Sequence, residues 1–257
     1  MTSASSDCQT LSPTALPSPP SLNDLPSAAL FLDFDGTLVE IAPAPDAIVV
    51  DPALPALLEG LAEKLEGRLA VVSGRSLADV SRYLGTERIA MAGSHGAELR
   101  RPGSTENESL ASPIPPDAEI ELNRFASTRD GVLVEPKPFS VALHYRLMPE
   151  AEGEALALAG SLARALNLNV KRGKMVVELL TPGYDKGSVV AKFMEMPVFA
   201  GSRPIFLGDD ITDEDAFTKV LEHEGGGVLV GPERDTAARW RLPGVAEVHA
   251  WLKAALA

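Results

Sequence analysis

Along this chain, short apolar runs that stop abruptly at polar turn residues alternate with stretches whose apolar residues recur at helical spacing. Residues 28–33 read as a buried strand, because the run ALFL is short and ends at an aspartate. From Pro52 to Glu66, Leu54, Leu57, Leu58, Leu61 and Leu65 fall on one helical face. Arg68–Ser73 (RLAVVS) reads as a second buried strand, Ser76–Leu84 as a helix and Ile89–Ala92 as a third strand. Strands without a polar face, alternating with helices, predict a parallel sheet covered on both sides.

The pattern then changes. Residues 101–116 hold four prolines among Ser, Asn and Glu, which predicts a linker. Beyond it the spacing predicts a helix (117–129), strands at 132–136 and 139–146, a helix (150–167) and strands at 169–173 and 175–180. Two helix-plus-hairpin units in succession make a small α+β module with an antiparallel sheet, ended by Thr181-Pro182-Gly183. The first pattern resumes with a helix at 185–194, a strand at 204–208, a helix at 213–222, a strand at 227–230 and a last helix near 244–256. The expected fold is α/β: a doubly wound, mostly parallel, Rossmann-like sheet in residues 27–107 and 182–257, with an α+β cap inserted at 108–181. Residues 1–26, rich in Ser, Pro and Thr, are expected to form a disordered tail.

Composition narrows the function. The 257 residues are 45% hydrophobic and carry a net charge of −13, which excludes nucleic acid and disfavours an anionic membrane surface as partners. A small anionic substrate stays open, because a metal and a few cations reverse the sign locally. The single cysteine, Cys8, allows neither an internal disulfide nor a cysteine metal cluster. No apolar run approaches the roughly 20 residues of a membrane span. The N-terminus lacks a signal-peptide pattern. A cytoplasmic monomer acting on a small molecule is the expectation.

Four segments fall at the carboxyl ends of core strands or at the start of the following helix, the edge where open α/β sheets bind ligands. They are Asp33-Phe34-Asp35-Gly36-Thr37, Ser73-Gly74-Arg75, Asp185-Lys186-Gly187 and Gly208-Asp209-Asp210-Ile211-Thr212-Asp213-Glu214. Two carboxylates at the tip of an apolar strand need compensation, and a divalent cation supplies it. Phosphoryl transfer needs a nucleophile, a proton carrier, a cation and donors for three phosphate oxygens, and these segments hold one residue for each. Each segment alone has a plain structural reading. Asp33–Gly36 could open a Ca²⁺ loop, but a strand precedes it and Ala44 occupies the place of the closing Glu. Ser73 could merely cap a helix, Lys186 could be solvated, and the acidic run 209–215 could complement a helix dipole. Their joint occurrence at one sheet edge favours chemistry.

The four segments resemble the motifs of the haloacid-dehalogenase-like phosphohydrolases. GDDITDE (208–214), GSHGAE (93–98), EPKPFSVALHYR (135–146) and KMVVELLTPGYDKG (174–187) resemble the branch of trehalose-6-phosphate phosphatases, which carries a C2B-type cap. The resemblance implies that Asp33 is the nucleophile and Asp35 the general acid and base. It implies Mg²⁺ on Asp33, the Asp35 carbonyl and Asp209, with Asp210 or Asp213 as a further ligand left open. It places phosphate on Ser73 and Gly74, with Lys186 neutralising charge, and sugar on Glu135, Lys137 and Glu178. His95 and Glu98 are candidates to line the cleft from the core; His144, His223 and His249 read as structural or surface residues. The rivals are a phosphatase for another sugar phosphate such as sucrose phosphate, a phosphosugar mutase and a non-catalytic sensor. The linkers at 101–116 and 181–184 are the expected hinges of a closing cap.

Overall fold

A computed structural model describes residues 15–42, 47–86 and 89–257. Cys8 and Ala44 lie outside the described residues. The elements run β1 (Ala28–Leu32), α1 (Leu54–Lys64), β2 (Leu69–Val72), α2 (Leu77–Leu84), β3 (Ala90–Gly93), β4 (Glu98–Arg100) and β5 (Asn107–Ser109). They continue with α3 (Pro116–Ala126), β6 (Leu133–Pro136), β7 (Ser140–His144), α4 (Glu152–Leu166), β8 (Asn169–Gly173) and β9 (Val176–Leu180). The chain closes with α5 (Lys186–Met194), β10 (Arg203–Gly208), α6 (Glu214–Glu222), β11 (Gly226–Val230), β12 (Trp240–Leu242) and α7 (Val245–Ala254).

The larger sheet has the order β12-β11-β10-β1-β2-β3-β4-β5. It is parallel from β12 to β3, and β4 and β5 add antiparallel at one edge. The pleat of β1 explains its unbroken apolar run. Leu30 and Leu32 point into one core with Leu58 and Leu61 of α1, Val80 of α2 and Leu252 of α7. Ala29 and Phe31 point into the other, with Phe193 of α5 and Phe217 of α6. Both faces of β1 are thus apolar, and strand order turns back at β1, so β1 opens the crevice at its carboxyl end.

The stretch between β5 and α5 makes its own antiparallel sheet, β6-β7-β9-β8. Val141, Leu143, Val177 and Leu179 pack one face of it against Ala118 and Leu122 of α3 and Ala155 and Ala159 of α4. The alternate residues of the same strands turn toward the larger sheet. The two chain crossings between the sheets lie side by side: Thr181 Oγ1 donates to the Ser112 carbonyl at 3.0 Å, and Tyr184 donates its hydroxyl to the Leu110 carbonyl.

Two expectations need correction. Residues 101–116 are not linker throughout, because Asn107–Ser109 pairs with β4 and extends the larger sheet past residue 107. The sequences of β4 (ELR) and β5 (NES) are too short and polar to show a strand period. Residues 15–26 are docked rather than tail. Leu22 is buried in the core beside α1 and α7, and Leu16 packs on the opposite face. The Pro17 carbonyl accepts from the Arg241 N–H of the edge strand β12 at 2.9 Å, and the Pro20 carbonyl accepts from Trp251 Nε1 at 2.9 Å. A proline-rich segment has little chain entropy left to lose and keeps its carbonyls available. Here the Pro17 carbonyl satisfies an N–H of an edge strand that would otherwise stand open, and the Pro20 carbonyl ties the segment to α7. Leu22→Ala is therefore expected to lower stability in urea unfolding by about 2–3 kcal/mol, as for a buried leucine. A change near zero would mean that the segment is loosely attached.

Candidate active site

The β1 loop turns sharply at its end. The Asp33 N–H donates to the Leu207 carbonyl of β10 at 2.9 Å, and Gly36 N–H donates to the Val39 carbonyl at 2.7 Å. Gly36 has φ +78°, and a Cβ there would lie 2.2 Å from Asp209 Oδ2. Only glycine lets this loop approach the loop after β10 so closely.

Lys186, the first residue of α5, reaches under that loop. Its Nζ donates to Asp33 Oδ1 at 2.7 Å and to Asp213 Oδ1 at 2.6 Å, and all three side chains are buried. Oxygens of Asp33, Asp209 and Asp213 lie within 4.8 Å of one another. Burial, opposed by Lys186 but reinforced by the charges of Asp213 and Asp209, holds the Asp33 carboxyl well above its usual range. Burial and then the charge of Asp213 push Asp209 up to about 6. Burial pulls Lys186 down, but Asp33 and Asp213 outweigh it and raise the ammonium above its ordinary range. Three carboxylates facing one ammonium leave two negative charges uncompensated, and an all-oxygen donor set of that charge suits a divalent cation. Asp213 belongs to this cluster. The Asp210 carboxylate instead accepts from the Ile211 N–H at 2.7 Å and caps the turn.

Asp35 stands beside the cluster with both oxygens engaged. Arg75 Nε donates to Oδ2 at 2.7 Å and Nη2 to Oδ1 at 2.9 Å, a bidentate fork. Gly74 lines the cleft. Ser73 is buried beneath it, its Oγ accepting the Arg75 N–H at 3.0 Å. Arg234, from the loop after β11, fastens the acidic segment: it pairs with Glu214 and donates to the Asp210 carbonyl at 2.8 Å.

The opposite wall is the free face of the smaller sheet. Ser140 Oγ donates to Glu178 at 2.6 Å and Lys137 Nζ donates at 3.2 Å. Burial raises the Glu178 carboxyl, but Lys137 and Ser140 outweigh it and hold it below its ordinary value. Lys137 also lies 3.7 Å from Glu135. His144, read from sequence as a structural or surface residue, lines the cleft and bonds Glu135 at 2.9 Å. Its place two residues past Ala142 on the same strand face puts it there. His95 comes from the core side, its ring so close to Gly74 that a Cβ there would meet it at 2.6 Å. Burial and then the charge of Lys171 lower His95 to about 3, so it is neutral. Glu98 does not line the cleft: it accepts from the Ser94 hydroxyl at 2.7 Å and the Leu77 N–H at 3.1 Å, bracing the turn that carries His95. His249 is structural, bonded to the Leu38 carbonyl at 2.8 Å, and His223 ends α6. The cleft between the walls encloses about 990 Å³, enough for a disaccharide-sized ligand.

Sequence reasoning missed the Arg75–Asp35 fork, Arg234, His144 and Lys171. The first has a signal, since Arg75 directly follows the phosphate-loop residues; the others depend on register or on a distant loop.

The uncompensated charge has a measurable consequence. The folded protein holds the Asp209 proton more tightly than the ordinary 3.8, so metal-free stability falls as pH rises through the window up to about 6. In EDTA, Asp209→Asn is expected to melt above the wild type at pH 8, with the gap closing by about pH 5. With a divalent cation added, the wild type should gain more than the variant. A variant melting below the wild type in EDTA at pH 8 would contradict the charge account.

Comparison with known proteins agrees with the geometry. A family model described as Trehalose-phosphatase matches residues 31–246. The trehalose-6-phosphate phosphatase of Escherichia coli (strain K12) is 38% identical over 227 residues, 88% of this chain and 85% of that protein. A probable trehalose-phosphate phosphatase of Sinorhizobium fredii is 41% identical over 211 residues, 81% of this chain and 80% of the relative. Among solved structures, the C-terminal domain of C. albicans trehalose-6-phosphate phosphatase superposes with TM-score 0.77 at 22% identity, covering 91% of this chain and 94% of that one, a likeness of fold. The chain belongs to the trehalose-phosphatase family.

Proposed function

We propose that this protein hydrolyses trehalose 6-phosphate to trehalose and orthophosphate, with Asp33 as nucleophile and Mg²⁺ as cofactor. The observation that carries the reading is the Asp33–Lys186–Asp213 contact at the floor of a cleft whose opposite wall presents Glu135, with Lys137 and Glu178 bonded to each other on the same sheet beside it. The relatives named above support the substrate.

Asp33 attacks phosphorus, forming an O–P bond as the bond to the sugar 6-oxygen breaks. Asp35 gives its proton to that oxygen. In the second step Asp35 takes a proton from water as the water oxygen attacks phosphorus and the Asp33 carboxylate leaves. The Arg75 fork occupies both oxygens of Asp35, so proton transfer needs one oxygen released. Lys186 keeps charge off Asp33 in both steps. Gly74, with Ser73 below it, holds phosphate oxygens. Asp33, Asp209 and the Asp35 carbonyl would hold Mg²⁺, which when bound supplies positive charge against the phosphoryl group. Glu135, Lys137 and Glu178 bind sugar hydroxyls, and the small sheet acts as a cap that closes over them.

Phosphate release is expected to be faster from trehalose 6-phosphate than from sucrose 6-phosphate or glucose 6-phosphate, to stop in EDTA and to return with Mg²⁺. Asp33→Asn should lose at least about 10³-fold in kcat, the scale of removing a nucleophile. Faster turnover of another ester would change the substrate assignment, and an active Asp33→Asn would remove the mechanism.

A further inference from the structure

Lys171 lines the cleft and has no part in the chemistry above. The antiparallel register sets Glu135 beside Ala142, Ala142 beside Glu178 and Glu178 beside Lys171, so these four residues form one row on the cleft face of the smaller sheet. Opposite charges directly across two strands usually pair. Glu178 instead gives its carboxylate to Lys137 and Ser140, and Lys171 reaches across the cleft to His95 of the core, Nζ to Nε2 3.1 Å.

This contact fixes the chemistry of both partners. An ammonium only donates, so His95 Nε2 is the acceptor and Nδ1 carries the ring proton. Neutral His95 tolerates a neighbouring cation that a protonated ring would repel. Lys171 has three N–H donors. Among the described residues His95 is its one hydrogen-bond partner, and it forms no salt bridge. The side chain is largely withdrawn from water, and donors left unmet in such a place are costly. Two of its donors are therefore free for a ligand. Their position is defined, because the His95 ring lies against Gly74 of the phosphate loop. The ammonium thus stands beside the phosphoryl site and in line with the sugar-binding row.

We propose that Lys171 is a specificity-determining residue, held by His95 beside the phosphate loop, which donates hydrogen bonds to oxygens of the sugar ring that bears the phosphate. The inference rests on the sugar-phosphatase reading but not on the identity of the sugar. It adds a fourth polar contact to Glu135, Lys137 and Glu178, one anchored by His95 of the core.

The test compares wild type, Lys171→Met and Lys171→Arg on whichever member of a sugar-phosphate panel the wild type hydrolyses fastest. A wrong sugar assignment thus leaves the test of Lys171 intact. Lys171→Met is expected to raise KM about 10- to 100-fold, the loss of one or two charged hydrogen bonds, with kcat changed less than about fivefold. Lys171→Arg should recover most of the loss. Inhibition by orthophosphate, which lacks the sugar, should weaken no more than about threefold in Lys171→Met. An unchanged KM in Lys171→Met would overturn the proposal. Orthophosphate inhibition weakened as much as KM would also overturn it, by making Lys171 a phosphate ligand. Unaltered melting of both variants excludes a folding defect as the cause of any KM change.

Discussion

The Lys186 ammonium, shared between Asp33 and Asp213, is the interaction on which the rest of the site depends. It joins residues 153 and 27 positions apart in sequence, so it forms only when three segments are in register. β1 supplies Asp33, the loop after β10 supplies Asp213, and pairing of Leu32 with Leu207 sets the two loops side by side. Without the ammonium, buried carboxylates would face one another, and breaking a buried pair of this kind typically costs about 3–5 kcal/mol. Even with it the cluster keeps excess negative charge, which the raised Asp33 and Asp209 carboxyls express. A fold that places charge against its own stability leaves room for a cation and a phosphoryl group.

The two sheets divide the work by the same geometric rule applied differently. In the larger sheet both faces are apolar, and function lies at the strand ends, where the loops after β1, β2 and β10 meet. In the smaller sheet one face is packed on α3 and α4 and the other is polar. Its cleft-facing row can vary without disturbing the apolar face packed on α3 and α4. In the proposed mechanism Asp33, Asp35, Lys186 and Gly74 act on the phosphoryl group, and Glu135, Lys137, Glu178 and Lys171 act on what is attached to it. Lys171 and His95 tie the two walls directly.

The buried parallel strands and the four loop segments were legible in the sequence because each carries its signal locally. An apolar run that stops at Asp33 or Gly208 marks both a strand and its functional end. β4, β5 and β12 were not legible: at three residues each they show no period, and only backbone pairing to a neighbour defines them. Docking of residues 15–26 was hidden because it uses proline carbonyls and a few leucines rather than an amphipathic face. Within the site, residue types read from motifs lie close to the cleft, but partnerships did not follow from spacing. Arg75 with Asp35, Arg234 with the Asp210 carbonyl, and Lys171 with His95 rather than Glu178 all depend on register and rotamer across distant segments.

The central claim is that Asp33, poised against Lys186, carries the phosphoryl group between sugar and water. Rapid acid quench of the protein with ³²P-labelled sugar phosphate and Mg²⁺, followed by peptide mapping, tests it most directly. The account predicts acid-stable, base-labile label on the peptide containing Asp33, appearing no more slowly than phosphate is released. Label on a different residue, or phosphate release with no label on the protein at any time within a turnover, would contradict it.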